Sequence, residues 1–225
     1  MSRRGLFLVL EGPEGAGKST LAAGLADRLR RAGLDPVLTR EPGGTPAGER
    51  ARAALLDPDH PVGPWSELFF YLAARAELVE KVIGPALAQG RVVLSDRFSL
   101  STEAYQIAGR GLPAAVVLGA AAAAASGIRP DLTLVLDVPV EVGRARQVAA
   151  GKRPDRLEAE SAEFHGRVAA RYLAARGEGV RHLDGCLPPD RLLEAAWEEI
   201  VRLEPTRFGG TSVGRMTSLA GPEAL

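Results

Sequence analysis

The sequence predicts an α/β fold: a central parallel sheet of about five strands, flanked by helices in a three-layer arrangement. Three observations lead there. Short apolar runs of strand length recur with room for a helix between them, the intervening stretches carry helical periodicity, and the first run passes through a glycine-rich turn directly into an amphipathic helix. The runs are Leu6 to Leu10, Val37 to Thr39, Val92 to Ser95, Leu132 to Asp137 and Val180 to Leu183.

Between the first two runs, Leu21, Leu25 and Leu29 recur every fourth residue with Ala22 and Ala26 beside them, and Gly33 follows as a stop signal. That spacing predicts a helix with one buried stripe. A second helix is expected from about Trp65 to Ala88, with Leu68, Leu72, Val79, Val82, Ile83 and Leu87 on its apolar face and Gly90 beyond it. Phe69, Phe70 and Tyr71 sit in this helix, and at least one of them is expected to be an ordinary core aromatic. The alanine tract Ala120 to Ala125 has the highest helix propensity available. Its small side chains suit close packing, including against a second subunit. After Pro205 no apolar period survives, so one domain is expected over residues 1–205 and a mobile tail over 206–225.

Composition narrows the function. The chain of 225 residues balances 28 Lys plus Arg against 28 Asp plus Glu, so phosphate binding must be local and no nucleic-acid surface is indicated. The apolar run near the start is too short for a signal or membrane segment, and Cys186, the one cysteine, cannot form an internal disulfide. A cytoplasmic protein without a membrane partner is expected. His60, His165 and His182 share no spacing that suggests a metal site or catalytic dyad.

The segment LFLVLEGPEGAGKST carries Gly12, Gly15, Gly17, Lys18 and Ser19 in the pattern GxxxxGK[ST], between a strand and a helix. Glycines suit a loop that turns its backbone N–H groups inward around an anion. Lys18 adds a charge on the transferable phosphate, and the Ser19 hydroxyl helps hold Mg²⁺. The fold expected is therefore the P-loop NTPase fold. No NKxD base-reading motif occurs, and the third strand ends in Ser95, Asp96 and Arg97. An acid at a strand end can act through water on Mg²⁺ while the adjacent Arg grips an acceptor phosphate, which points to a small kinase.

Five segments, EGPEGAGKST, TREPGGTPAGERAR, FFYLAARAELVEKVI, LSDRFSLSTEAYQIAGRG and RPDLTLVLDVPVEVGRAR, followed by DRLE, resemble bacterial thymidylate kinases in order along the chain to about residue 204. The resemblance implies ATP-dependent phosphorylation of thymidine monophosphate (dTMP) to dTDP in dTTP biosynthesis, and a homodimer. ATP would lie on Gly12, Pro13, Glu14, Gly15, Ala16, Gly17, Lys18, Ser19 and Thr20. Ser19, Asp96 and Glu11 would stand on the metal side, although Glu11 is equally readable as a plain charged strand end. Glu41 and Pro42 would border the acceptor sugar, and Arg52 would reach its phosphate with a bidentate fork. Glu41 alone is equally compatible with a surface turn.

Tyr71 and Arg75, four residues apart on one helical face, would stack on and bond to the thymine ring; a one-residue uncertainty of register attaches to the stacker. Arg97 would bind phosphate, Ser101 and Thr102 the pyrimidine edge, and Tyr105 would crowd the sugar's 2′ position. Gln106 is open between site and scaffold, and Arg110 is expected to support the site. A lid is expected near residues 146–157. Because Glu14 places a carboxylate in the P-loop, the closing cation is expected from that lid: Arg153 first, Arg156 as its competitor, with Arg146 facing the adenine or its phosphates. Lys18, Arg97, Arg153 and Arg156 are the expected catalytic charges.

Overall fold

The computed structural model describes residues 4–151 and 154–208. Five strands, β1 (Leu6–Glu11), β2 (Val37–Arg40), β3 (Val92–Asp96), β4 (Leu132–Asp137) and β5 (Val180–Asp184), form one all-parallel sheet in the order β2-β3-β1-β4-β5. All six residues of β1 are buried, as a central parallel strand covered on both faces requires. Its side chains divide with a period of two. Leu6, Leu8 and Leu10 pack with α1 (Lys18–Arg31) and α9 (Pro189–Leu203), whereas Phe7 and Val9 pack on the opposite face with Leu78, Ile83 and Phe98.

The long second helix is not uniform. It runs as α3 (Pro64–Leu78), widens to a π turn at Val79–Ile83 and ends as α4 (Gly84–Ala88), with the Gly84 N–H reaching back to Val79 O. Pro85 explains the break, because it has no N–H for the ladder. After β3 a second helix begins as α5 (Ser99–Thr102) and widens to a π segment at Glu103–Gly109. The alanine tract forms the end of α6 (Ala114–Ala124), with Ala125 as its cap, as its propensity predicts. The remaining helices are α2 (Pro46–Leu56), capped by the Thr45 hydroxyl, α7 (Val140–Ala149) and α8 (Ala162–Leu173).

Three features go beyond these expectations. Residues Thr206 to Phe208 belong not to a tail but to α10 (Pro205–Phe208), held by Phe208, which is buried against Trp197 at 5.7 Å between ring centroids. One aromatic produces no apolar period, so the pattern did not reveal it. Arg146 and the residues to Ala149, where the lid is expected to begin, are part of α7. None of Phe69, Phe70 and Tyr71 is a fully buried core residue, and Phe69 is 59% exposed. Lys152, Arg153 and the tail beyond Phe208 lie outside the described residues.

Candidate active site

β1 and β3 pair with Leu10 opposite Asp96, so the turn after β1 and the Asp96-Arg97 pair emerge side by side at the sheet's carboxyl edge. Gly12, Gly15 and Gly17 all have positive φ, which the loop needs. At Gly15 the reason is also spatial: a Cβ there would stand 2.1 Å from Gly143 O, because the loop packs backbone to backbone on α7. Lys18 Nζ folds over the loop, donating to Gly12 O (3.0 Å) and Pro13 O (2.8 Å). Burial, then the Arg97 charge, lowers Lys18 to about 8. Ser19 Oγ donates to Asp96 Oδ2 at 2.7 Å, which sets two hard oxygen donors side by side.

Arg97 is the centre of the site. Its φ of 79° is unusual for a residue with a side chain, and such strain persists only where surroundings hold it. Here Nη1 donates to Gly12 O, Ser101 Oγ and Tyr172 Oη, and Nη2 to Glu14 Oε1 (2.5 Å) and Tyr105 Oη. Burial alone would raise the Glu14 pKa, but Arg97 and Lys18 hold it at about 2.

One narrow cleft brings Glu14 together with every expected acceptor residue except Pro42 and Arg52. Arg52 donates to Pro42 O at 3.1 Å and so sits against that turn. Arg75 makes a bidentate pair with Glu41, Nη2 to Oε2 at 2.6 Å and Nε to the same oxygen at 2.9 Å, and donates to Phe98 O. The pair is almost fully buried. Among the described residues, Arg75 Nη1 and Thr102 Oγ1 are buried with no hydrogen-bond partner. Buried orphans of this kind are uncommon and call for a ligand or another explanation. Tyr71 lines the cleft beside Arg75, whereas Phe70 does not.

Glu11 and Arg156 stand differently from their expected roles. Both oxygens of Glu11 are occupied, Oε1 by the N–H groups of Phe98 and Ser101 and Oε2 by the hydroxyls of Ser101 and Tyr172. It anchors the start of α5 instead of turning to a metal; burial raises its pKa despite Arg97 nearby. Arg156, 8% exposed, donates to Leu55 O (2.7 Å) and to Glu67 Oε2 (2.7 Å), which ties it to α2 and α3.

Two residues escaped the sequence reading. Tyr172 reaches Glu11, Ser101 and Arg97 from α8, where the Phe164, Val168, Tyr172 spacing marks a buried stripe and nothing more. Glu67, 0% exposed, gathers Gln106, Arg110 and Arg156. No local signal separates it from other helical glutamates. Arg110, paired with Glu67, has a second partner in Glu160 at 2.6 Å. On the other side of the P-loop a cavity of about 530 Å³ is lined by Ala16, Thr20, Gly24, Arg146, Gly185 and Pro189. Arg146 donates to Gly185 O at 3.0 Å there.

A parallel sheet in this order, a phosphate loop at its central strand and an acceptor cleft across the carboxyl edge define a P-loop phosphotransferase of the nucleoside monophosphate kinase class. Comparison with known proteins narrows the class. The family model described as "Thymidylate kinase" matches residues 10–186. A thymidylate kinase of Ectopseudomonas mendocina (strain ymp) is 52% identical over 179 residues, covering 79% of this chain and 85% of the relative. One of Pseudomonas putida (strain GB-1) is 50% identical over 202 residues, covering 89% and 95%. Another, of Alkalilimnicola ehrlichii, is 44% identical over 212 residues, covering 92% and 98%. The chain belongs to the thymidylate kinase family.

Proposed function

We propose that the chain transfers the γ-phosphoryl group of ATP to dTMP, giving dTDP for dTTP synthesis, with the P-loop as donor site and the Arg75 cleft as acceptor site. Family membership supports the reaction. The observation that carries the base assignment is the orphaned pair, Arg75 Nη1 and Thr102 Oγ1, buried in one cleft. A guanidinium only donates, so Arg75 suits the O4 carbonyl of thymine and opposes the amino group that cytosine carries there.

The acceptor phosphate is already ionised and needs no side-chain base; an oxygen of it attacks the γ-phosphorus in line. Lys18 neutralises the transferred group, Arg97 exchanges its Glu14 contact for the acceptor phosphate, and Arg52 holds the same phosphate from α2. Tyr71 stacks on the ring, Tyr105 limits the 2′ position, Glu41 with Ser101 shapes the wall, and Pro42 belongs to the bordering turn on which Arg52 rests. Ser19 and Asp96 fit a Mg²⁺ ion by their oxygen chemistry; when bound, it supplies charge neutralisation at the nucleotide phosphates. Arg146 lines the cavity assigned to the donor base, and Arg153 is the closing lid charge.

The enzyme acts as a homodimer in the cytoplasm. Exposed Trp65 and Phe69 on α3 and Val116 on α6, two helices packed together, offer an apolar face that a second copy covers. No helix among the described residues is long and apolar enough to cross a membrane. A coupled assay of ADP release against a panel of nucleoside monophosphates tests the function. Release is expected only with dTMP or a close analogue; equal efficiency with dCMP would remove the thymine assignment and leave the broader kinase.

A further inference from the structure

We propose that Glu67 is a positioning residue for base recognition: by accepting from Nε2 of Gln106 it turns that amide so that the carbonyl oxygen faces the acceptor base. The proposal rests on the thymidylate reading above. Gln106 is 1% exposed and lines the acceptor cleft with Arg75 and Thr102. A primary amide has a donating and an accepting end, and its orientation follows from its neighbours. The neighbour here is the Glu67 carboxylate, with Gln106 Nε2 at 2.9 Å from Oε1.

What makes Glu67 an acceptor is the company it keeps. Arg110 grips it through Nε and Nη2, the latter at 2.8 Å, and Arg156 through Nη2 at 2.7 Å. Guanidiniums only donate and are positively charged, so the two together favour the ionised carboxylate, and an ionised carboxylate has no proton to give an amide oxygen. Burial would raise the Glu67 pKa, yet its hydrogen bonds from Arg110, Gln106 and Arg156 hold it below the usual carboxylate value. The amide nitrogen is thereby committed to Glu67. No described residue donates to Gln106 Oε1, which is left as an acceptor at the cleft.

An acceptor in the same cleft as the unpartnered donor of Arg75 matches one pyrimidine edge. Thymine presents a ring N3–H next to its O4 carbonyl, whereas cytosine presents an N3 lone pair next to an amino group. Glu67 precedes Tyr71 by four residues and Arg75 by eight, so one face of α3 supplies the orienting carboxylate, the ring neighbour and the donor. A buried ion cluster is weak evidence for stability but is a known means of specifying one arrangement of polar groups. Selecting a single amide orientation is such a role.

The test is Glu67→Gln, which keeps the shape, removes the charge and lets the Gln106 amide reverse. The ratio of kcat/KM for dTMP over dCMP is expected to fall by about tenfold or more, the scale of one oriented hydrogen bond, with the KM for ATP unchanged. In a Gln106→Met background the same substitution is expected to leave the ratio unmoved. A folded Glu67→Gln protein with the wild-type ratio overturns the proposal, as does an equal effect in the Met background. Failure of the wild-type protein to phosphorylate dTMP would instead strike the functional reading itself.

A second measurement needs no variant at position 67. The Gln106 side-chain NH₂ protons, assigned by their loss in Gln106→Met, are expected to be protected from solvent exchange in the unliganded wild-type protein. Rapid exchange that slows only when dTMP is added would place the nitrogen toward the base and overturn the assignment.

Discussion

At the scale of single residues the site is a small set of charges whose partners explain them. Lys18 is held over the loop by two carbonyls, and its work is on a phosphate that the unliganded chain does not hold. Lys18→Ala is therefore expected to keep the fold while kcat falls by at least about a thousandfold, the scale of losing a preorganised charge on the transition state; near-normal turnover would remove the P-loop assignment. Glu14 makes a pH prediction. Its folded value, about 2, lies below the ordinary 4.5, so its contribution to stability is complete above about 4.5 and is lost as pH falls toward about 2. The Tm difference between the wild type and Glu14→Gln is accordingly widest near neutrality and narrows from about pH 5 to about pH 2. Substitutions of Arg156 and of Arg153, the proposed lid charge, would separate anchoring from catalysis. Arg156→Ala breaks a buried pair with Glu67 and is expected to cost about 3–5 kcal/mol in chemical denaturation, whereas Arg153→Ala is expected to lower kcat with stability and ATP affinity little changed.

At the scale of elements, the site depends on backbone approaches and widened helices. The P-loop lies so close on α7 that a Cβ at Gly143 would meet Glu14 O at 2.4 Å, backbone against backbone. Gly143→Ala is expected to destabilise by about 1–3 kcal/mol and to weaken ATP binding, because the loop must move. Gly166→Ala on α8, where nothing lies within 4 Å of the added methyl, is the control and is expected to be neutral or slightly stabilising. Calorimetric titration with a non-hydrolysable ATP analogue reads both. The π segment Glu103–Gly109 carries Tyr105 and Gln106 into the cleft, in keeping with the frequent placement of such widened turns at functional sites.

At the scale of the whole molecule, the apolar face of α3 and α6 is the feature that a lone chain leaves unexplained. Phe69 is 59% exposed although it lies two residues from a cleft-lining tyrosine. Sedimentation is expected to give a dimer for the wild type and a monomer for Phe69→Asp, since a charge in place of an exposed apolar side chain opposes its burial against a second copy. A monomeric wild type would leave this face without the assigned partner.

The amino-acid sequence by itself determined the sheet, the phosphate loop and the Asp96-Arg97 edge. These rest on contiguous runs and on glycines whose backbone angles only glycine adopts readily, so the information is local. The Tyr71 and Arg75 pair came from the family resemblance; their spacing of four residues, about one helical turn, adds only that both lie on one face of α3. Only the tertiary structure decided which way Glu11 turns, that Arg156 is buried against α3, that Glu67 and Tyr172 belong to the site, and that Phe208 closes the core. Tyr172 lies 161 positions from Glu11, and Arg156 lies 89 from Glu67. A propensity or a period describes how a segment folds on its own. Which carboxylate meets which guanidinium is set by the packing of segments on one another, and that packing is long-range.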